Sequence, residues 1–543
     1  MVQASEDRFI DRDCQTTVLE AVRSERHRPW LAAALLVFLA IKLVHGAIVL
    51  TPTFDEYKHA LSGWAFLKTG ICCAGQSDTA MVAVNGIPWL LMGAVPISAP
   101  RSGQTFDWGS AADRYPPVHW RNTLARIPNV LLALLLAWLV HREARAMAGE
   151  TSGLLALALA CACPNLTAHG MLVSTDAQGA LGFLIGVLGF ASWMRRGMGR
   201  DGFLLAAMAF ALAQIAKYSS LLLVPGLALV ALLCGGRSWR ERLAAALKAT
   251  AVFLLGFALV VLVYELPERL APASDLARQI GDLRGPRGYL GGFALPWAMG
   301  HHGVPGYFLG EFGTTWRLFY LTAVLVKTPL SILLASALGI VALWRQRFSW
   351  RERLLWTVPA TVAFVASSLS KVTFALRYVL QIYPFLMIVG GLSVRLVPSK
   401  WRTPAALALA LAALVEGSLI HPNELAFFNV AAGGPRHGAR YFLDSNIDWG
   451  QSLADLAAEL KRRHIDHVWL AYHGSIMPEI YHIDATPLEP RRRVSGWVAI
   501  SVTKLFGLYV PAIPDVDADA YAWLRDLEPQ AVIGHTIYLY HVP

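Results

Sequence analysis

Charge is the first thing this sequence has little of. Only 15% of its 543 residues are Asp, Glu, Lys or Arg, against 55% hydrophobic residues, and the mean hydropathy is +0.46. A soluble chain carries about 25% charged residues, so a soluble globular protein is excluded. The net charge of +10 is no nucleic-acid signature either. Lys and Arg gather in short loops between apolar runs, the pattern that sets the orientation of a membrane protein. Cysteine is also scarce: there are six, none at a metal-binding spacing. Cys161 and Cys163 lie inside an apolar run and read as packing residues. Cys72 and Cys73 are adjacent in a loop expected outside the cytoplasm, where a mutual bridge would be strained and a free thiol is the other reading. No cleavable signal peptide is expected, because residues 1–29 are polar and the first apolar run is long enough to span. No internal repeat stands out.

What is present is a series of apolar runs separated by basic turns. The first, residues 30–50, has the ~20 residues needed to cross the hydrocarbon core. Further spans are expected at 127–140, 152–163, 181–193, 250–264, 318–343, 354–369, 378–396 and 405–420. The run 203–234 is too long for one span, and Lys217-Tyr-Ser-Ser220 interrupts it. Basic loops flank both ends, which favours a hairpin with Lys217 at its outer turn. The alternative is one long tilted helix with a buried lysine. With the hairpin there are about eleven transmembrane helices, with the amino end inside and the carboxyl end outside.

Residues 1–29 then form a cytoplasmic arm and 30–420 a membrane domain, whose long outer loops are 51–121 and 265–316. The amphipathic segments 57–68 and 87–95 are expected to lie in the interface. From His421 the pattern changes: helix signals at 452–463 and 521–526, and strand signals at 467–472, 497–502 and 532–541. The fold class is therefore a polytopic α-helical membrane protein with a small carboxyl-terminal α/β domain, 421–543.

The polar outliers fall on one side of this topology. Thr51-Pro-Thr-Phe-Asp-Glu-Tyr-Lys-His-Ala60 follows the first span, so Asp55, Glu56 and His59 sit at a membrane boundary. Ionisable residues there are costly unless used, although Asp55 as N-cap and Glu56 on the helix dipole is the structural alternative. His169 and Asp176 lie in the next outer turn, Lys217 in the third, and Arg377 begins a re-entering helix. His301, His302 and Glu311 occupy the second long loop. A carboxylate can act as general base on an acceptor hydroxyl, and Lys or Arg can hold a phosphate and stabilise it as leaving group. A divalent metal is compatible with this pattern, with Glu56, His301 and His302 as weak candidates. Several of these residues also have structural readings: Asp176 as a helix cap after Ser174-Thr175, Lys217 as a snorkelling side chain. Lys327, deep in an apolar run, requires a packed partner that the sequence does not name.

Phe54-Asp-Glu-Tyr-Lys-His59, with Gly63-Trp64 and Leu67-Lys-Thr-Gly70, resembles the first outer loop of family 39-type glycosyltransferases. These are the GT-C-fold enzymes that use polyprenyl-phosphate sugars, including protein O-mannosyltransferases and aminoarabinose transferases. Ala125-Arg-Ile-Pro-Asn129, Ser174-Thr-Asp176, Lys217-Tyr-Ser219, Tyr307-Phe-Leu-Gly-Glu311, Lys327-Thr-Pro329 and Arg377-Tyr378 resemble later landmarks in the right order. So do His421-Pro422, Phe427-Phe-Asn429 and Asp444-Ser-Asn-Ile-Asp-Trp-Gly-Gln451 near the carboxyl end. The resemblance implies an inverting sugar transfer at the outer face of a bacterial inner membrane. The implied catalytic residues are Asp55, Glu56 and Asp176; His59, Lys217, Arg377 and Glu311 are substrate-binding candidates. One departure is Tyr115-Pro-Pro-Val-His119, which stands where many relatives carry a His-Pro-Pro-Leu-like segment. Asp448 reads as structural or acceptor-facing.

The implied partners are a polyprenyl-phosphate-linked sugar donor, membrane lipids and an envelope acceptor (glycan, lipid or protein hydroxyl), with no nucleic acid and no organic cofactor. A transporter or flippase of a lipid-linked sugar is the alternative. It would not need an acidic pair at an outer turn or a 120-residue outer domain, and transporters tend to show inverted repeats. A non-catalytic scaffold leaves Asp55, Asp176 and Lys217 unexplained.

Overall fold

The computed structural model describes residues 28–72, 79–93, 119–270, 288–373, 375–509 and 517–543. Residues 115–118 of the Tyr-Pro-Pro-Val-His motif and Cys73 fall outside them. The first helix, α1 (Pro29–Val49), starts on a proline, whose missing N–H costs nothing there. Two short helices follow, α2 (Glu56–Thr69) and α3 (Ala83–Leu91), and they cross at glycines. A Cβ added at Gly86 would lie 2.3 Å from the Trp64 nitrogen, so only glycine permits this approach. α2 stops at Gly70, whose left-handed φ of 70° suits a C-terminal cap. Cys72 is disulfide-bonded rather than a free thiol.

The bundle continues through α4 (His119–Ala148), α5 (Glu150–Ala162), α6 (Pro164–Gly170), α7 (Thr175–Arg195), α8 (Phe203–Ala216), α9 (Leu223–Cys234) and α10 (Trp239–Leu270). Next come α11 (Gly288–His302), α12 (Phe319–Lys327), α13 (Leu330–Arg345), α14 (Trp350–Leu369), a 3-10 turn into α15 (Tyr383–Gly391), and α16 (Ser399–Ser418). Each expected apolar run is helical. Five helices are long and apolar enough to cross a membrane, or up to seven if each of two bent pairs is one span. The difference from eleven has a physical source. α8 and the 218–234 run are short, and α14 and α16 begin on charged turns.

Both bends fall at prolines. α5 and α6 meet at 64° before Pro164, and α12 and α13 at 113° before Pro329. A broken helix frees backbone groups that must be satisfied inside the protein. Asn165 Nδ2 donates to Lys327 O at 2.6 Å, and Asn429 Nδ2 donates to Leu325 O and Thr328 O at 2.6 and 2.9 Å.

Helix packing relies on small residues, as expected where lipid is as apolar as leucine. A stripe on α7 faces α8: Cβ atoms at Gly182 and Gly189 would sit 2.7 Å from the Ala216 methyl and 2.3 Å from that of Ala209. α8 therefore runs antiparallel to α7. Phe210 of α8 packs on Phe253 of α10 (centroids 4.9 Å), Leu223 at the start of α9 returns beside Gly186, and Gly235 just past α9 abuts Ala245. The run 203–234 is thus a hairpin with Lys217 at its apex.

Beyond α16, short 3-10 turns lead to α17 (Leu453–Arg462) and a five-stranded sheet. A separate hairpin, β1 (Gly306–Phe308) with β2 (Glu311–Gly313), precedes it in the chain and bridges to Phe442. The sheet comprises β3 (Val468–Ala471), β4 (Ala485–Pro487), β5 (Gly496–Ser501), β6 (Ala531–Ile533) and β7 (Ile537–Val542), in the order β4-β3-β5-β7-β6. β3 is parallel to β4 and β5; β7 is antiparallel to β5 and β6. Leu453, Leu456 and Leu460 of α17 bury one sheet face with Val468 and Leu539. The segment 532–541, expected as one strand, is two, because Gly534 and His535 both take positive φ (55° and 62°) and close a hairpin turn. The expected helix at 521–526 is a single 3-10 turn at Ala522–Leu524.

Candidate functional site

The segment before Asp55 pairs like a strand with the carboxyl-terminal region. Thr51 N–H donates to Gln451 O and Phe54 N–H to Trp449 O, both at 3.0 Å. α2 begins immediately after, and neighbouring residues on a helix point in different directions. Asp55 and Glu56 are consequently separated.

Glu56 turns inward and is 1% exposed. Arg126 of α4 donates to it from Nε (2.8 Å) and Nη2 (2.7 Å), Val173 N–H donates at 2.8 Å, and Thr53 donates from N–H and Oγ1. Burial alone would push the Glu56 carboxyl up; Arg126 and the N–H donors outweigh it and hold it below the usual carboxylate range. With both oxygens engaged, Glu56 has no lone pair for a substrate or metal, which corrects its reading as a catalytic or metal residue. Arg126 also donates to the carbonyls of Ala47, Leu50 and Thr51, so this buried pair ties the end of α1 to α2.

Asp55 turns the other way and is 26% exposed. Its Oδ2 is 3.4 Å from Arg377 Nη1 and its Oδ1 3.9 Å from Lys58 Nζ. Arg377 stands at the start of the α15 run, its guanidinium 4.3 Å from the Trp449 ring and 5.6 Å from that of Tyr378. Lys217 Nζ donates to Asp176 Oδ1 at 2.5 Å and to Arg377 O at 3.2 Å, and lies over the Tyr378 ring at 5.5 Å. Its stem passes over Gly179, where a Cβ would come within 2.6 Å of Lys217 Cδ. Asp176 Oδ2 is 3.5 Å from His169 Nδ1, and the His169 ring meets Trp449 edge-on at 6.2 Å.

Asp55, Asp176, Lys217 and Arg377, from four separate stretches of sequence, thus form one cluster. His169, expected beside Asp176 in the same outer turn, joins it, while Trp449, Tyr378 and Asp444 were not singled out as part of it; Asp444 acts on the Arg377 charge. Asp176 is only 5% exposed and spends an oxygen on Lys217, an arrangement that orients the lysine. His59 sits half-buried on the first turn of α2.

The remaining candidates are not drawn in. Glu311 is exposed on β2, and no contact among the described residues ties it to the cluster. His301 and His302 are exposed at the end of α11, where His301 packs on Trp297. Among the described residues no three His, Cys, Asp or Glu side chains are grouped to hold a metal ion. Among the described residues Glu56, His301 and His302 do not come together as a donor set. Asp448, read from the sequence as structural or acceptor-facing, is buried, with Gly450 N–H donating to it at 3.2 Å.

These features define a polytopic helical membrane protein whose polar cluster lies where the bundle meets a small carboxyl-terminal α/β domain. Residues 119–264, about a quarter of the chain, match the family model described as dolichyl-phosphate-mannose-protein mannosyltransferase. That stretch carries Arg126, His169, Asp176 and Lys217. No curated protein matches the chain. Among solved structures, ArnT from Cupriavidus metallidurans bound to undecaprenyl phosphate is similar at 13% identity and a TM-score of 0.46, over 94% of this chain and 97% of that one. The archaeal oligosaccharyltransferase AglB from Archaeoglobus fulgidus, in complex with an inhibitory peptide and a dolichol-phosphate, gives 10% identity and 0.46 over 89% and 70%. The S. cerevisiae protein O-mannosyltransferase Pmt1-Pmt2 complex gives 18% and 0.35 over 48% and 36%.

Proposed function

We propose that the protein is an inverting glycosyltransferase that moves a sugar from a polyprenyl-phosphate donor to a hydroxyl of an envelope acceptor. The cluster then lies at the periplasmic face of a bacterial inner membrane. The observation that carries this reading is the pairing of one accessible carboxylate, Asp55, with two largely buried cations, Arg377 and Lys217. The family match over 119–264 supports the donor class.

In the reaction, Asp55 accepts the proton of the acceptor hydroxyl. The acceptor oxygen bonds to the anomeric carbon as the bond from that carbon to the donor phosphate oxygen breaks. The leaving polyprenyl phosphate keeps the electron pair, and its charge is met by Arg377 and Lys217. The Asp55–Arg377 separation of 3.4 Å is long for a charge-assisted bond, so a phosphate can take up the guanidinium without breaking a strong ion pair. Asp176 orients Lys217, and Glu56 with Arg126 fixes the start of α2. The carboxyl-terminal region contributes Trp449 as the surface on which Arg377 lies.

The test is sugar transfer from a polyprenyl-phosphate donor in proteoliposomes, comparing wild type with Asp55→Asn. Removal of a general base is expected to cost about 10²–10⁴ in turnover with donor binding kept. Unchanged turnover in Asp55→Asn would remove Asp55 from the mechanism. A wild type that transfers nothing but moves labelled lipid between leaflets would replace this reading with a flippase.

A further inference from the structure

Asp55 has no side-chain cap contact to hold it, although it occupies the N-cap position of α2. What sets its place is the segment before it, and that segment meets a second part of the carboxyl-terminal domain. His473, just past β3, stacks on Phe54 with ring centroids 5.8 Å apart and planes at 15°. It also stacks on Tyr509, at 5.5 Å and 20°. Its backbone N–H donates to Ser501 Oγ at 3.0 Å, and its Nε2 lies 3.3 Å from Asp444 Oδ1. Phe54 is the residue before Asp55, and Lys58 lies 4.9 Å from the Phe54 ring and 3.9 Å from Asp55 Oδ1.

Two contacts of His473 are made by residues in the left-handed region, Asp444 and Tyr509, with φ of 55° and 65°. Aspartate visits that region readily, whereas a bulky side chain such as that of Tyr509 is a genuine outlier there, and such strain persists only where the surroundings over-determine it. Here the strained Tyr509 and Asp444 converge on one imidazole, which in turn stacks on the residue preceding Asp55.

We propose that His473, anchored by Asp444 and stacked between Phe54 and Tyr509, is a positioning residue for Asp55: it lets the carboxyl-terminal domain fix the aim of the carboxylate from outside the membrane bundle. This rests on the transferase reading for its consequence in turnover, but not for its structural content. Asp55 is then located from two sides, by the Glu56–Arg126 pair within the bundle and by the His473 stack beyond it.

The experiment compares wild type with His473→Ala and His473→Phe in turnover, donor affinity and hydrogen exchange over residues 51–58. In His473→Ala, turnover is expected to fall about tenfold to a hundredfold, as misplacement of a reacting group does. Donor Kd should stay within about twofold, since the cations that hold the phosphate are untouched. Exchange over 51–58 should rise while the bundle helices stay protected. His473→Phe keeps a ring between Phe54 and Tyr509 and should recover part of the turnover and of the protection. Wild-type turnover and exchange in His473→Ala would overturn the proposal. So would parallel losses of turnover, donor binding and bundle protection that His473→Phe does not relieve. If wild type transfers from no donor, the transferase reading fails, and exchange over 51–58 alone decides whether His473 positions Asp55.

Discussion

Two lysines interrupt apolar runs in this protein, and their surroundings differ in kind. Lys217, at the α8–α9 turn, meets a carboxylate, the Arg377 carbonyl and the Tyr378 ring, and 12% of its side chain remains exposed. Lys327, at the α12–α13 bend, is 2% exposed and donates to three backbone carbonyls, those of Leu425, Phe427 and Asn446 at 3.0, 3.0 and 2.5 Å. The Phe428 ring lies 4.4 Å from its ammonium. Lys327 is solvated by neutral oxygens belonging to the chain that leaves the bundle, so it staples the carboxyl-terminal segment to the broken helix. Lys217 is balanced by Asp176 beside an accessible carboxylate. A charge at membrane depth is therefore not by itself a sign of chemistry; the nature of its partner separates a staple from a site.

The sharpest way to break this contrast is Lys327→Met. It strips a donor from three buried carbonyls, each of which costs about 1–3 kcal/mol when left unpaired. A loss of about 3 kcal/mol or more is expected, read as a lowered thermal transition in detergent. An unchanged transition would show that the staple is not one. Lys217→Met should instead strike function as well as stability. Transfer should fall about 100-fold, in the range seen on removing one electrostatic donor to a developing charge, and the transition should also fall because Asp176 is left buried without its cation. Gly179→Ala tests Lys217 without touching its charge, because the new Cβ meets the lysine stem at 2.6 Å. The gain in helix propensity, about 1 kcal/mol, offsets part of an overpacking cost of about 1–3 kcal/mol. Stability should change little while transfer falls about tenfold. Gly186→Ala, which meets Leu223 instead, serves as the control that leaves transfer in place.

Much of the bundle was legible because apolar length and basic turns are local signals. The hairpin at 203–234 was favoured by charge: two basic flanks point to the same side, against the alternative of one long tilted helix. The bends at Pro164 and Pro329 were less legible, since a proline announces a break but not its angle. Within the site, residue type was readable and direction was not. Asp55-Glu56 looks like an acidic pair, yet helical geometry sends one to Arg377 and the other to Arg126. Arg126 stands in a motif quoted from the sequence, and its signal was there to use: an arginine at the start of an apolar run demands a carboxylate, and Glu56 lay one loop away. Lys327 demanded partners in the same way, but carbonyls of residues 425–446 leave no mark in a sequence. Trp449 and His473 were invisible for a related reason. They reach the cluster through the packing of a domain whose docking no local pattern encodes.

The smallest expected effect joins the two lysines through that docking. Asn446, which accepts from Lys327 at its carbonyl, also accepts Leu376 N–H at its side chain, next to Arg377. Two residues earlier, Asp444 holds His473. The charged and titratable groups facing His473 are Asp444, Asp448, Lys504 and Tyr509. Burial would push the imidazole down; the Asp444 bond and the Asp448 and Asp444 charges outweigh burial and Lys504, and raise it above its ordinary value of 6.5. A raised folded-state value means that protonated His473 contributes stability fully present below about pH 6.5 and lost as pH rises through the raised value. Asp448, raised by burial and lowered in part by the His473 charge, is coupled to the imidazole, so the difference between wild type and variant reports His473 together with its pull on Asp448. The measurement is the thermal transition of wild type minus that of His473→Gln across pH 5.5–9. The difference should be largest at the acid end and shrink as pH rises. A difference that grows with pH, or does not change with it, would mean that the imidazole sits there as a ring alone, and that the attachment at Asp444 is as charge-neutral as the one Lys327 makes to its carbonyls.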